Sequence, residues 1–262
     1  MTDPAEPAVA AVPMTRPGEV AGHPKLVIRY RTDPDRAAAI VPAGLVPGAD
    51  PVVQIGIYCV PVHGEPEHGV STKVPASFDG VDGQFTVGIG IDQEAAIFIS
   101  QERNGQPKFP CSVRFFRLGD AVEATCTHQG YTFLEYRGTV SGTLPPTGID
   151  VEENEWWIKS VRAVGGAERA YDYPPHVVRV RMVGQPVHTE TLAGELILRD
   201  SPWDPYTELL PMRELLSAEL VTTRHSLREI TNAGPLDPDA FWPHADTIGG
   251  SRWPGQDGAP RR

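Results

Sequence analysis

Along this chain apolar and polar residues alternate at period two far more often than they recur at helical spacing, which predicts a protein made mostly of strands. The run KLVIRYR from Lys25 to Arg31 sets the type, with β-branched and aromatic residues between charged ones. Thr32 can cap a short helix that follows, with Pro34 where a missing amide costs nothing and an end before Pro42. Further strands are expected over Val52 to Val62, Gln84 to Ile91, Ala95 to Gln101, Cys111 to Arg117, Ala121 to His128 and Tyr131 to Val140. A second series covers Trp156 to Val164, His176 to Val183, Pro186 to Arg199 and Leu220 to Ile230. Gly119-Asp120 and the stretch Asp79 to Gly83 read as hairpin turns between them. One further short helix is expected over Met212 to Ala218. Many antiparallel strands, few helices, 26 Gly and 27 Pro predict a closed or nearly closed β-barrel, mainly β with a small α+β component.

Composition narrows the partners. A chain of 262 residues with 40% hydrophobic content can bury one substantial core, so a single domain over residues 23–248 is expected between disordered tails, 1–22 and 249–262. The formal net charge of −11 repels phosphate backbones and anionic lipid, which argues against nucleic-acid and membrane partners. Any acidic substrate must therefore be held by local cations. Three scattered cysteines, Cys59, Cys111 and Cys126, fit neither a disulfide framework nor a zinc ribbon, and a reducing cytoplasm is the expected compartment. The proline-broken N-terminus does not read as a signal peptide.

Lysine is scarce, so each one is worth weighing. Lys25 opens a strand, Lys73 falls in what reads as a polar loop and Lys159 sits on an alternating strand, all expected to be solvated. Lys108 differs, because the loop QERNGQPKFP places it between Pro107 and Phe109-Pro110, two prolines to fix the backbone and a ring to exclude water. Imine chemistry needs a neutral amine, which at pH 7 means lowering a lysine by roughly 3.4 pKa units, or about 4.6 kcal/mol. Apolar burial or a nearby cation can supply that.

The segment from Ser100 to Pro110, with Glu102 followed by Pro107-Lys108, resembles the signature of the acetoacetate decarboxylase family. The likeness extends to LVIRYRTDPD, VPAGL, VPASFDGVDGQF and ELLPMRELLSAEL, covering most of residues 25 to 230. It implies a barrel of that family's type, a homo-oligomer, and an imine-forming lysine, Lys108, acting on a small oxo acid with no metal or organic cofactor. Such a lyase either decarboxylates a β-keto acid or uses the enamine for aldol or dehydration chemistry. From the same loop, Glu102 and Asn104 are expected to move protons, with Gln106 and Phe109 against the substrate; Glu219 is a candidate acid/base opposite. Three departures stand out. Phe109 occupies the place of a second lysine, while His23 and Gly56 occupy those of an arginine and a glutamate. A loop glutamate of the family has Glu65 and Glu67 nearby. These losses keep a second reading open, a binding protein on the same barrel without the chemistry.

The remaining motifs read as structural. His63, Glu65, Glu67 and His68 have zinc-compatible donors, but Gly64 and Pro66 make the cluster an acidic loop. Gly88-Ile89-Gly90 lacks the rest of a dinucleotide fingerprint. Of Trp156 and Trp157, on opposite faces of one strand, one is expected in the core and the other against solvent or a subunit. His128, His176, His188 and His225 are isolated and expected to be structural.

Overall fold

The computed structural model describes residues 23–62, 64–165, 169–245, 253–254 and 259–261. Most of the tails expected to be disordered, and His63, lie outside the described residues. The first half of the chain runs β1 (Pro24–Arg31), α1 (Pro34–Ile40), β2 (Val46–Pro47), β3 (Val52–Val62), β4 (Glu65–Phe78), β5 (Val81–Ile91), α2 (Glu94–Asn104) and β6 (Lys108–Pro110). The second half runs β7 (Ser112–Leu118), β8 (Ala121–His128), β9 (Tyr131–Leu144), β10 (Val151–Arg162), β11 (Tyr171–Leu198), α3 (Tyr206–Leu209), β12 (Glu214–Pro235) and α4 (Pro238–Ala245). No helix among the described residues is long and apolar enough to cross a membrane.

Strands β10, β5, β4, β3, β1, β12 and β11 follow one another in the sheet, and β11 pairs back onto β10. They enclose a nearly closed barrel. Its seam is short, because β10 meets β5 through only two register pairs, Glu155 with Gln84 and Trp156 with Phe85. The far half of the long β11 leaves the ring and carries β9, β8 and β7 as an outer layer.

Strand alternation sorts the residues of the ring onto two faces. On β1, Leu26, Ile28 and Tyr30 point outward into the main core, where they meet Val122, Ala124, Cys126, Phe133, Leu134 and Tyr136 of the outer layer. The intervening Lys25, Val27 and Arg29 point into the ring. The same parity holds on β3, with Val53, Ile55 and Ile57 outward and Gln54 and Tyr58 inward. The proline-rich segment before β12 covers the outer face, where Tyr30 donates to the Leu210 carbonyl at 2.9 Å and Thr72 bonds the Tyr206 hydroxyl at 2.5 Å.

Four expectations change. The apolar run from Ala95 to Gln101 forms α2 instead of a strand, burying Ala96, Ile97 and Ser100 and stopping at Gly105 in the left-handed region, φ 62°. A short apolar run carries no period that separates helix from strand, and the helix-terminating glycine decides it. The segment Met212 to Ala218 forms no helix, because Glu214 to Ala218 belong to β12 and pair with β1 from Arg31 back to Ile28. Lys73 lies in no loop; it is buried on β4. Finally, Trp156 and Trp157 are both buried, the first in the core with its indole donating to the Ala76 carbonyl at 3.1 Å, the second facing the interior of the ring.

Candidate active site

Lys108 opens β6, which lies parallel to β5 with Lys108 opposite Ile89. Its position is fixed from both ends. The Ile89 amide donates to the Pro107 carbonyl and the Cys111 amide to the Ile91 carbonyl, each at 2.9 Å. Gln101 on α2 donates its side-chain amide to the Lys108 carbonyl. Gly105 permits the tight passage from α2, since a Cβ there would stand 2.4 Å from the Cα of Lys159. Lys159 closes the end of α2 by donating to the Arg103 carbonyl at 3.1 Å.

The side chain of Lys108 is 1% exposed, and its Nζ lies 3.5 Å from Oε2 of Glu67, which is fully buried on β4. Neither atom makes a hydrogen bond among the described residues. The other oxygen of Glu67 accepts from the Tyr58 hydroxyl at 3.5 Å. Tyr58 reaches it across Gly69, where a Cβ would stand 2.3 Å from the tyrosine ring. Burial pushes the Lys108 amine below its ordinary range; Glu67 opposes the shift, and the Arg228 guanidinium of β12 reinforces it.

Inside the ring lies a cavity of about 590 Å³. Tyr58, Ile89, Gln106 and Arg228, all neighbours of the Lys108–Glu67 couple, are in its wall. A second buried couple lines it directly. Lys73 and Glu155 form a tight ion pair, and Thr86 donates to the second oxygen of Glu155 at 3.3 Å. Burial pushes Glu155 up, but Lys73, with Lys25 and Arg228, outweighs that and holds the carboxyl below its ordinary value. Lys25 also lines the cavity, and burial together with the Lys73 charge lowers its amine to about 8. Glu219 faces the cavity as well, paired with Arg29 at 3.1 Å.

The structure thus puts Gln106 and Glu219 in the cavity wall, with Lys108 buried next to the wall residue Ile89 without lining the cavity itself, and separates the other candidates. Glu102 is exposed on α2, and Asn104 ends that helix; neither lines the cavity. The period of strand β6 turns Phe109 to the opposite side from Lys108, into the main core against the His128 ring at 4.9 Å. His128 in turn holds Asp204 at 2.7 Å. The segment read as an acidic loop begins strand β4 instead, from Glu65, and strand parity divides its side chains. Glu67 points inward, while His68 sits on the other face with Asp92, 3.0 Å from Nδ1. Sequence reasoning missed Tyr58, Arg228, Glu155, Lys73 and Lys25, and left Glu67 undecided beside Glu65 near the place of a family glutamate. The available signal was alternation on β4, where Val70, Thr72, Val74 and Ala76 are apolar or small and Glu67, Gly69, Ser71 and Lys73 take the other face.

Comparison with known proteins agrees with this picture. The family model for acetoacetate decarboxylase (ADC) matches residues 3–234. No curated protein matches the chain significantly. Among solved structures, an acetoacetate decarboxylase superposes with a TM-score of 0.66 at 20% identity, over 81% of this chain and 88% of that one. An acetoacetate decarboxylase-like enzyme from Sphingomonas wittichii RW1 gives 0.66 at 17% identity, over 81% and 91%. The enduracididine biosynthesis enzyme MppR, complexed with the condensation product of pyruvate and imidazole 4-carboxaldehyde, gives 0.62 at 17% identity, over 80% and 87%. With most of its length matched by the family model and its fold shared with these enzymes, this chain belongs to the acetoacetate decarboxylase family.

Proposed function

We propose that the protein is a lysine-dependent lyase in which Lys108 forms an imine with a small oxo acid and the resulting enamine condenses with an aldehyde. The observation that carries the reading is a lysine amine 1% exposed, without a hydrogen bond, 3.5 Å from a buried carboxylate. In a low-dielectric wall such a pair is poorly compensated as ions, and the neutral amine is the nucleophilic form. Glu67 is placed to take the proton that the amine must lose.

The neutral Nζ attacks the ketone carbon to give a carbinolamine, which loses water to become a protonated imine. Loss of a proton from the adjacent carbon gives the enamine, with the imine nitrogen as electron sink. Its carbon then bonds to the aldehyde carbonyl, whose oxygen takes up a proton, and water hydrolyses the imine to free Lys108. Arg228, close enough to act electrostatically on Lys108 and Tyr58, suits the acid's carboxylate. It supplies from β12 the cation that His23 does not.

Cavity size favours condensation over simple decarboxylation. A volume of about 590 Å³ falls in the range of sites for drug-sized ligands and exceeds what a four-carbon acid fills. The complex of MppR with a pyruvate–aldehyde condensation product supports the same choice. Borohydride reduction in the presence of pyruvate tests the reading. One reduced adduct is expected, mapping to Lys108 and absent from Lys108→Met. Labelling at Lys25, Lys73 or Lys159 in place of Lys108 would overturn it, and no labelling at all would leave a binding protein on this barrel.

A further inference from the structure

Although the chain carries a net charge of −11, the cavity wall sets the cations Lys25, Arg29, Lys73 and Arg228 against the carboxylates Glu153, Glu155 and Glu219. Lys73 is committed to Glu155 and Arg29 to Glu219. Lys25 is not. It makes no hydrogen bond or ion pair among the described residues, although Lys73, Glu155, Glu153 and Arg29 all act on it electrostatically. Its side chain lies over Gly56, where a Cβ would stand 2.1 Å from Cε, 2.7 Å from Nζ and 3.0 Å from the Ser71 hydroxyl oxygen. The bare backbone of Gly56 is therefore what lets the amine lie inside the ring beside Ser71.

We propose that the cavity is built for an oxo acid with a second carboxylate, which Lys25 receives with the Ser71 hydroxyl beside it. This rests on the imine reading of Lys108 and names the substrate class for it. Lys25 is half-buried, and an unpartnered ammonium facing a cavity is the group that an entering anion would meet, a carboxylate doing so with a charge-assisted hydrogen bond. Arg228 near Lys108 serves the carboxylate next to the reacting ketone, so Lys25 is left for a distal one. The two amines are set apart along β4. Glu67, which pairs with Lys108, and Ser71, beside Lys25, are four residues apart, about 13 Å of strand before the reach of two lysine side chains is subtracted. The lowered value of about 8 for Lys25 is consistent with a site awaiting its counter-ion.

The test compares oxaloacetate, 2-oxoglutarate and 2-oxoadipate, which bracket that gap, each against the monoacid of equal length bearing a terminal methyl. The readout is the concentration that half-saturates borohydride trapping at Lys108. At least one diacid should half-saturate at about tenfold lower concentration than its monoacid. In Lys25→Met that ratio should fall to about one. Gly56→Ala, whose nearest new contacts are the flexible end of Lys25 and the Ser71 hydroxyl, should lower it in the same direction if Lys25→Met folds poorly. No diacid preference in the wild type, or a preference that survives both substitutions, overturns the proposal while leaving the imine reading intact. If no acid labels Lys108, the imine reading fails on its own. Calorimetric binding to Lys108→Met then decides the anchor: diacid binding lost on adding Lys25→Met supports it, and binding unchanged or absent overturns it.

Discussion

The barrel holds two buried lysine–carboxylate couples with the same chemical groups and opposite characters. Lys73 and Glu155 touch closely, Thr86 adds a hydrogen bond, and the carboxyl is held ionised by the cations around it. Lys108 and Glu67 stand 3.5 Å apart, longer than an ordinary hydrogen bond, and burial outweighs Glu67 and drives the lysine toward its neutral form. Burial by itself does not make a lysine a nucleophile. What differs is whether a carboxylate arrives close enough, and with enough supporting hydrogen bonds, to offset the desolvation of both charges. The first couple belongs to the framework of the ring, and the second is the one that trades its proton in the proposed chemistry.

The largest consequence is expected at Lys108. Replacing it with Met keeps an apolar side chain of similar length and should reduce turnover by about 10⁴-fold or more, with the circular-dichroism spectrum unchanged. A variant that retained a tenth of the activity would place the chemistry on another residue and erase the contrast.

Exchanging the carboxylates separates the couples further. Glu67→Gln should lower turnover by roughly 10²- to 10⁴-fold, as for loss of a general base, with little change in thermal stability. Since Glu67 raises the amine's pKa, its loss should also move the pH midpoint of trapping downward. Glu155→Gln should act the other way, costing about 3–5 kcal/mol of stability in denaturant titration because it leaves Lys73 buried without its charge partner. If the two variants gave the same pattern, the distinction between framework and reactive couple would fall.

The smallest effect concerns salt. The folded-state pKa of Lys108 lies below its free value, so the neutral amine is already populated at lower pH; trapping should rise with pH to that pKa and level off above it. Because burial is the largest cause, raising ionic strength should scarcely move the midpoint. A midpoint climbing toward 10.5 in high salt would transfer the credit from burial to an accessible cation such as Arg228.

Much of this molecule is legible in one dimension. Alternation in KLVIRYR sets which side chains of β1 enter the core, and the same rule fixes the faces of β3, β8 and β12. The proline-bracketed Lys108 stands out among four lysines on local grounds, before any fold is known. Glu67 does not, because Gly64 and Pro66 disguise the start of a strand as a loop, and only its partners on β3 and β5 make it one. The stretch Ala95 to Gln101 has apolar content enough for either element, and its neighbours choose the helix.

What the sequence by itself determined is therefore the strand-rich barrel, its inward and outward faces, and the lysine to which the chemistry is assigned in the proposal. Each depends on residue type and on spacing along a single strand or loop. Only the tertiary structure decided which carboxylate stands beside which lysine. Glu67 reaches Lys108 from 41 positions away and Glu155 reaches Lys73 from 82, and whether each pair closes or stays at 3.5 Å is set by strand register and by what else fills the space. Coulomb energy and desolvation both turn on that last ångström, and no pattern in the chain records it.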